Sequence, residues 1–327
     1  MNAEYGGLPP VPPRTEAEEL NSHVIDRLCN TRHAQYRLRA GPGPGVSFVL
    51  DLFIPPGDGR WPVMLDGDGC WRYLTDAVIG TVVSRGWICA QFNRTELAPD
   101  IAGLGRATGL YALYREPRFG ALSAWAWGFH RCVDFLLTLG IVDPARVAVV
   151  GHSRGGKAAL LAGATDERIA LTAPNCSGCG GAGCFRFLGP GSESLADILE
   201  RFPHWFDARL GGYIGREGEL PFDQHFLKAL VAPRALLSTE ALGDLWANPS
   251  GTWRTHAAAG EVYRFLGAAE RIGIAFRQGG HDHTLEDWGA ALDFADWHLG
   301  GRRPSRRFDM NPFGDLRPGH AWEAPEA

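Results

Sequence analysis

A serine stands at the centre of the pentapeptide Gly151-His152-Ser153-Arg154-Gly155, with glycines two positions before and two positions after it. A serine hydroxyl is a poor nucleophile, so it must project from a sharp turn toward a base that takes its proton. Glycines at this spacing let a strand and a helix crowd together around such a turn. The apolar residues 147–150 predict that strand, and the Gly/Ala-rich residues 156–164 predict that helix. We therefore predict that Ser153 is a nucleophile; the alternative is an ordinary turn with a capping serine.

The base for this serine is expected in a loop after a late strand. Residues 274–278 form an apolar run that is followed by Gly279-Gly280-His281-Asp282-His283-Thr284 and a helical pattern. His281 comes directly after the two glycines and is the predicted base, with His283 as the alternative. The other histidines stand in helical or loop settings, where packed or exposed polar residues are the simpler interpretation.

A carboxylate must orient the imidazole, and in the chain it is expected between the serine and the histidine. Residues 235–239 predict a strand, and two acids follow it, Glu240 and Asp244. Asp244 lies further into the loop, where it can accept the second N–H of the histidine, so it is the predicted acid and Glu240 the rival. The order Ser153, Asp244, His281 is that of α/β-hydrolases.

The surrounding elements are those that such a site needs. Short apolar runs alternate with longer helical patterns, which predicts a mainly parallel, twisted central sheet between helices, the three-layer α/β-hydrolase fold. Further strands are predicted at residues 47–54, 62–65, 87–92 and 170–173, and helices at 74–84, 121–139, 251–266 and 285–299. Residues 47–65 are expected to supply antiparallel edge strands, and residues 15–28 a helix. The predicted division is an N-terminal extension (1–45) that packs on the core, a catalytic domain (46–301) and a C-terminal tail (302–327).

The composition narrows the possible partners. A net charge of −5, with 21% charged residues, argues against nucleic acid as the main partner. No apolar run approaches the ~18 residues of a membrane span. The first residues lack the basic start and apolar stretch of a secretion signal, so the sequence as written predicts a cytoplasmic protein, secreted only if a signal has been removed. Seven cysteines, unevenly spaced, fit reduced thiols better than a disulfide framework. Oligomeric state is left open.

Several segments resemble the glucuronoyl esterases, carbohydrate esterase family 15, especially their bacterial members, over residues 61–299. The segments that carry the resemblance are Gly120-Ala121-Leu122-Ser123-Ala124-Trp125-Ala126-Trp127-Gly128, Gly151-His152-Ser153-Arg154-Gly155-Gly156-Lys157, Ser177-Gly178-Cys179-Gly180-Gly181-Ala182, Leu220-Pro221-Phe222-Asp223-Gln224-His225, Ala232-Pro233-Arg234, Asp244-Leu245-Trp246-Ala247-Asn248-Pro249 and residues 281–288.

The resemblance implies an α/β-hydrolase that cleaves esters of glucuronic acid through an acyl-enzyme, with no cofactor and no metal. It implies that Ser153 is the nucleophile and that Arg154 helps to hold the oxyanion. It also implies that Lys157 contacts the sugar and that Trp246 stacks on it. The expected ligand is thus a small-molecule or saccharide ester. A pair of surface charges on the first helical turn is the alternative for Arg154 and Lys157.

The sequence departs from the family at one position. Many members place a glutamate just before the Ser-Gly dipeptide that follows the next strand, and here that position is Cys176. A thiol is a weak hydrogen-bond partner and would orient an imidazolium poorly. This departure shifts the acid role to Asp244 and leaves two other hypotheses open. One is a hydrolase of a different ester or biosynthetic intermediate; the other is a weakly active or non-hydrolytic binder of a sugar acid. Cys176, Cys179 and Cys184 are interpreted as packed small residues rather than as a metal or redox site.

Overall fold

A computed structural model describes residues 2–70, 74–104, 106–314, 316–317 and 319–325. The chain divides into two compact units by its contacts: the first comprises residues 1–149 and 201–210, the second residues 150–200 and 211–327. Among the described residues, no helix is both long enough and apolar enough to cross a membrane.

The first unit is built on the strands that the N-terminal half contributes. Its elements are α1 (Asn2–Tyr5), β1 (Thr15–Ile25), β2 (Thr31–Ala40), β3 (Val46–Ile54), β4 (Trp61–Asp66), α2 (Asp76–Ser84), β5 (Ile88–Phe92), α3 (Ala121–Leu136) and most of β6 (Val142–His152). Strands β1, β2, β3 and β5 pair antiparallel in that order, and β4 pairs parallel with β5. Helix α3 buries Trp125 and Trp127, whose indole N–H groups donate to the carbonyls of Ala98 and Pro10. These tryptophans therefore belong to the core.

The prediction of a helix over residues 15–28 is wrong. The segment forms β1, which pairs with β2 from Thr15 opposite Ala40 to Ile25 opposite Thr31. The glutamates of this segment favour a helix locally, but measured helix preferences amount to only about a few tenths of a kcal/mol per residue. The hydrogen bonds and side-chain contacts that the segment gains by pairing with β2 outweigh this preference. All residues of β1 except its first and last are exposed to solvent. Exposed, charged side chains are typical of an edge strand. The expected edge position of residues 47–65 is also wrong, because β3 lies between β2 and β5.

The second unit contains the parallel strands that follow the end of β6. Its elements are α4 (Arg154–Thr165), β7 (Leu171–Asn175), α5 (Leu195–Arg201, whose last residue belongs to the first unit), α6 (Gln224–Ala229), β8 (Ala235–Ala241), α7 (Pro249–Phe265), β9 (Ile272–Arg277) and α8 (Leu285–Gly300). Strand β8 pairs parallel with both β7 and β9. Residue Phe308, beyond the last helix, is buried and accepts a backbone bond from Ile274. The chain after residue 301 therefore contacts the core at least as far as Phe308.

The strands are ordered β1-β2-β3-β5-β4-β6-β7-β8-β9 in an open sheet. The predicted α/β-hydrolase fold is confirmed, and the predicted strands from residue 47 onward and the helices at 74–84, 121–139, 156–164, 251–266 and 285–299 are found within a few residues of their expected bounds. Strand β2 and the short helices α1, α5 and α6 are the additions that the sequence did not indicate.

Candidate active site

Ser153 occupies the turn between β6 and α4 in a backbone conformation that few residues adopt. Its φ is 57° and its ψ is −121°, which is the strained geometry of a strand-to-helix nucleophile turn. The turn is closed tightly: a Cβ on Gly151 would collide with the backbone carbonyl group of Gly155. The Ser153 amide donates to the carbonyl of Asn175 at 2.9 Å, which fixes the turn against the end of β7. The hydroxyl is thereby presented at the carboxyl end of β6.

His281 and Asp244 stand in a hydrogen-bonded chain with this serine. The distance between His281 Nε2 and Ser153 Oγ is 2.9 Å. On the other side of the ring, His281 Nδ1 lies 2.5 Å from Asp244 Oδ2. The Asp244 side chain is 3% exposed, and that of His281 is 41% exposed. A carboxylate that accepts the Nδ1 proton leaves Nε2 as the acceptor for the serine hydroxyl, which is the arrangement a general base requires.

The two alternatives from the sequence, Glu240 and His283, stand outside this hydrogen-bonded chain. Glu240 is fully buried within β8 and has no hydrogen bond to His281. Burial raises the pKa of Glu240 to about 8, against the opposing effect of Lys228. The ring of His283 stacks on both Trp288 and His152, with centroids 4.8 and 5.9 Å apart, whereas the ring nitrogen that lies 2.9 Å from Ser153 Oγ belongs to His281.

Cys176 follows β7 and lies beside this chain. Its thiol sulfur, a carboxylate oxygen of Asp244 and a ring nitrogen of His281 all lie within 4.8 Å of one another. Cys176 is 1% exposed, and its pKa is raised by burial and by the carboxylates of Glu240 and Asp244. Position 176, where the family resemblance led us to expect an acid, is therefore next to the imidazole, but it holds a thiol.

Sequence reasoning missed a clamp on the histidine loop. Arg277, the last residue of β9, donates through Nε to Asp287 Oδ2 at 2.7 Å, and both side chains are buried. Its Nη2 donates to the carbonyls of Gly280 and Asp282, at 3.3 and 2.5 Å. The guanidinium thus holds the backbone on both sides of His281. An arginine at the end of a strand, two residues before a Gly-Gly-His segment, is the signal that could have indicated this role.

The ring of His152 is a second feature near the imidazole that sequence reasoning missed. The His152 ring lies 4.5 Å from the His281 ring, centroid to centroid. His152 Nδ1 in turn lies 2.5 Å from Asn175 Oδ1, and Asn175 Nδ2 donates to Thr239 Oγ1 at 2.9 Å. This network links the ends of β6, β7 and β8. Only the burial of Asn175 identifies it, and burial is not visible in the sequence.

Lys157, in the first turn of α4, is 4% exposed, so the alternative of a surface charge pair is wrong for this residue. Its ammonium donates to the carbonyls of Ser177 and Cys179, at 2.5 and 2.6 Å. Burial lowers the pKa of Lys157, and the negative charge of Glu193 opposes that shift. Arg154, three residues earlier, is half-buried at the first position of α4.

Trp246 lies in a turn after β8 and is linked to Lys157 through Glu193. Its indole is 40% exposed, and its carbonyl accepts the amide of Glu193 at 3.0 Å. Glu193 is itself 5% exposed, and its charge acts on Lys157. A half-exposed aromatic face, a buried ammonium and a buried carboxylate thus belong to one connected region of the second unit. Sequence reasoning identified Trp246 and Lys157 only through the family resemblance, and it missed Glu193.

Comparison with known proteins places this geometry in context. Residues 42–267 match the family described as glucuronyl esterase, fungi. Carbohydrate esterase MZ0003, from an unknown prokaryotic organism, is 42% identical over 246 residues, which cover 68% of this chain and 56% of that protein. The 4-O-methyl-glucuronoyl methylesterase of Cerrena unicolor is 32% identical over 303 residues, which cover 89% of this chain and 60% of that protein.

A solved structure is similar over almost the whole chain. It is a carbohydrate esterase family 15 glucuronoyl esterase from Caldicellulosiruptor kristjansonii, with a TM-score of 0.85, 31% sequence identity, and coverage of 99% of this chain and 88% of that one. The chain spans between half and two thirds of the length of the two curated relatives above. These similarities confirm the resemblance that the motifs indicated.

Proposed function

The chain belongs to the glucuronoyl esterase family, carbohydrate esterase family 15, and from this premise we propose that it is a serine carboxylesterase acting on an ester of glucuronic acid or a similar polar uronate. The observation that carries the proposal is the hydrogen-bonded chain from Ser153 through His281 to Asp244. Relatives named for methyl esters of 4-O-methyl-glucuronate support the substrate class.

In the first step, Ser153 Oγ attacks the ester carbonyl while His281 Nε2 takes its proton. Asp244 holds the tautomer in which Nδ1 carries the other proton, and it stabilises the imidazolium that forms. Negative charge then develops on the former carbonyl oxygen. The N-terminus of α4 offers N–H groups and a positive dipole end there, and Arg154 adds a full positive charge at the first helical position. The imidazolium then protonates the leaving alcohol.

In the second step, water attacks the acyl-enzyme. His281 takes a proton from the water, and the tetrahedral intermediate collapses to release the uronic acid, with the proton returning to Ser153. The side chain of His281 is 41% exposed, which gives water access to the base. Every proton transfer in this cycle passes between Ser153, His281 and the reacting oxygen atoms. The proposed mechanism therefore needs neither a metal nor an organic cofactor.

The surroundings of Lys157 support a polar, ring-shaped acyl group. Lys157 and Glu193 bring opposite charges close together in this region, and both are group types that bond hydroxyls. Trp246 offers a flat apolar face, suited to the apolar face of a pyranose ring. We propose that residues 46–301 form the catalytic domain, flanked by the extension at 1–45 and the tail at 302–327.

A panel of esters tests the proposal. Methyl and benzyl glucuronate should be hydrolysed, and Ser153→Ala should abolish turnover and labelling by a fluorophosphonate. The same replacement at exposed Ser84 is the matched control and should retain both. Hydrolysis of simple aryl esters alone would favour a different ester as substrate. Unchanged hydrolysis by Ser153→Ala would reject the mechanism. Because Asp244 bonds His281, the thiol at position 176 no longer gives a reason to prefer a non-hydrolytic binder.

A further inference from the structure

A buried thiol, that of Cys176, lies beside His281, and the proposed hydrolysis gives it no role. Cys176, Asp244 and His281 each offer one ligand atom, and these atoms lie within 4.8 Å of one another; no other such trio occurs in the described part of the chain. We propose that the three side chains bind a thiophilic divalent cation of the Zn²⁺ or Cd²⁺ type, and that its binding switches off the esterase. This inference rests on the proposed function for its effect on activity, but not for the binding itself.

The ligand set fits such an ion in type and number. Zinc takes thiolate, imidazole and carboxylate ligands, and three protein ligands leave a fourth position for water. Thiolate and imidazole select zinc or cadmium over magnesium and calcium, which prefer oxygen ligands. Arg277, the neighbouring cation, is paired with Asp287, which is close enough to act on Cys176. The positive charge of Arg277 is therefore compensated and does not oppose the binding of a metal ion by the trio.

The geometry needs one adjustment. At zinc–ligand distances of about 2.0–2.3 Å, tetrahedral ligand atoms lie roughly 3.3–3.7 Å apart. The Nδ1 of His281 and the Oδ2 of Asp244 are 2.5 Å apart, so they must separate by about 1 Å, a shift estimated from the same zinc–ligand distances. His281 follows Gly279 and Gly280 and is 41% exposed, so its ring is the ligand that can move and the side from which an ion can enter. Cys176 and Asp244 are buried and provide the fixed ligands.

The change in which atoms carry protons explains the loss of activity. The metal binds through the Nδ1 lone pair, so the hydrogen that Nδ1 carries and donates in its bond to Asp244 moves to Nε2. The thiol of Cys176 loses its proton to water when it becomes a ligand. Nε2 then carries a hydrogen and can only donate, so the Ser153 hydroxyl has no acceptor for its proton. The Nδ1–H and S–H bonds break, the Nε2–H bond and the metal–ligand bonds form, the thiol proton passes to water, and nothing is oxidised or reduced.

The test measures binding and activity separately in the full chain. Cadmium binding is followed by its thiolate absorption band, and hydrolysis of benzyl glucuronate is followed with EDTA, Zn²⁺ or Mg²⁺, each variant being compared with its own rate in EDTA. Wild type should show the band and should lose at least tenfold in rate with zinc but not with magnesium, reversibly on chelation. Cys176→Ala should lose the band and need about 10–100-fold more zinc for the same inhibition, the range for weakened metal sites.

Cys29→Ala removes an exposed thiol and is the control for adventitious binding, so it should behave as wild type. Equal zinc inhibition of wild type and Cys176→Ala would overturn the proposal, as would a wild type with neither band nor inhibition. A cadmium band that depends on Cys176, in a protein that hydrolyses no glucuronate ester, would retain the metal site and reject the proposed function. Thermal unfolding of each variant in EDTA distinguishes loss of the site from loss of the fold.

Discussion

The imidazole of His281 faces two positions from which an acid could orient it. One is Asp244 after β8, and the other is position 176 after β7, where this chain has a cysteine. A buried neutral thiol cannot stabilise an imidazolium as a carboxylate does. The whole orienting role therefore falls on Asp244.

Replacement of Asp244 by asparagine should lower kcat by about 10⁴, because the amide stabilises the wrong tautomer of His281. Steady-state kinetics on benzyl glucuronate measures this. Glu240→Gln is the matched control, since it also replaces a buried acid near the end of β8 by its amide, but an acid without a bond to His281. A similar loss in both variants would contradict the assignment of Asp244 as the acid.

Trp246 is expected to act on binding rather than on chemistry. A stacking contact takes no part in the bonds that change, so Trp246→Ala should raise KM by about tenfold, equivalent to an aromatic contact of about 1–1.5 kcal/mol, with kcat little changed. Leu245→Ala is the control, because that neighbouring side chain is also about half exposed. Michaelis–Menten analysis on methyl glucuronate separates the two constants. A fall in kcat at unchanged KM would count against a stacking role.

At the scale of elements, the loop after β9 depends on one side chain. Arg277→Lys keeps a positive charge beside Asp287 but cannot bond the carbonyls of Gly280 and Asp282 at the same time. The histidine should then be less well placed, and kcat should fall by about 10–100-fold with little change in KM, since a displacement of about 1 Å can cost 10²-fold.

The matched control for the arginine clamp is Arg307→Lys. Arg307 also pairs with an aspartate, Asp309, but both side chains are 70% exposed. Its kinetic constants should equal those of wild type, because exposed ion pairs contribute little. If Arg277→Lys kept full kcat, the loop would be positioned by other contacts.

Two helical glycines provide a test of packing by the same substitution. A Cβ on Gly163 in α4 would collide with the side chain of Thr172 in β7, whereas a Cβ on Gly260 in α7 would meet nothing within 4 Å. Gly163→Ala should destabilise the protein by about 1–3 kcal/mol through overpacking. Gly260→Ala should stabilise it by about 0.5–1 kcal/mol, because alanine loses less backbone entropy in a helix. Urea unfolding measures both, and shifts of the same sign would contradict the packing of α4 on β7.

The elements that the sequence predicted correctly are those whose patterns are local. A buried strand followed by Gly-His-Ser-Arg-Gly and a helix spans about 15 residues, a length over which hydrophobic periodicity predicts secondary structure. Residues 15–25 cannot be predicted in this way, because their strand structure depends on pairing with residues 31–40. The burial of Lys157 and the bond from Asn175 to Thr239 depend on contacts between distant residues, which spacing along the chain does not contain.

At the scale of the whole molecule, the candidate site follows from the order of the strands. Ser153, Cys176, Asp244 and His281 come after β6, β7, β8 and β9, and these four strands are consecutive neighbours in the sheet. In open α/β sheets, ligands bind outside the carboxyl ends of the strands. All four residues belong to the second unit. Side chains separated by up to 128 positions thus meet because each one follows the end of one of these four adjacent strands.

The stability of the molecule should depend on pH through His298, a histidine outside the candidate site. His298, in the last turn of α8, lies against Phe294 and Trp297 with centroid distances of 4.3 and 4.2 Å. Burial, with the positive charges of Arg271 and Arg303 in addition, lowers the pKa of His298 to about 4. Between this value and the ordinary pKa of about 6.5, the unfolded chain binds the proton and the folded chain does not. The free energy of unfolding therefore falls as the pH is lowered from about 6.5 to about 4.

His298→Gln should remove this contribution. At pH 5 the slope of unfolding free energy against pH should correspond to about one proton fewer than in wild type, whatever the absolute stability of the variant, because the slope counts only protons taken up on unfolding. Urea unfolding at half-unit steps from pH 4.5 to 7 provides the slope. His23→Gln, at an exposed position, controls for removal of a histidine as such. Parallel curves for wild type and His298→Gln would mean that His298 is charged in the folded protein, and hence that the contact with Phe294 and Trp297 does not exclude water.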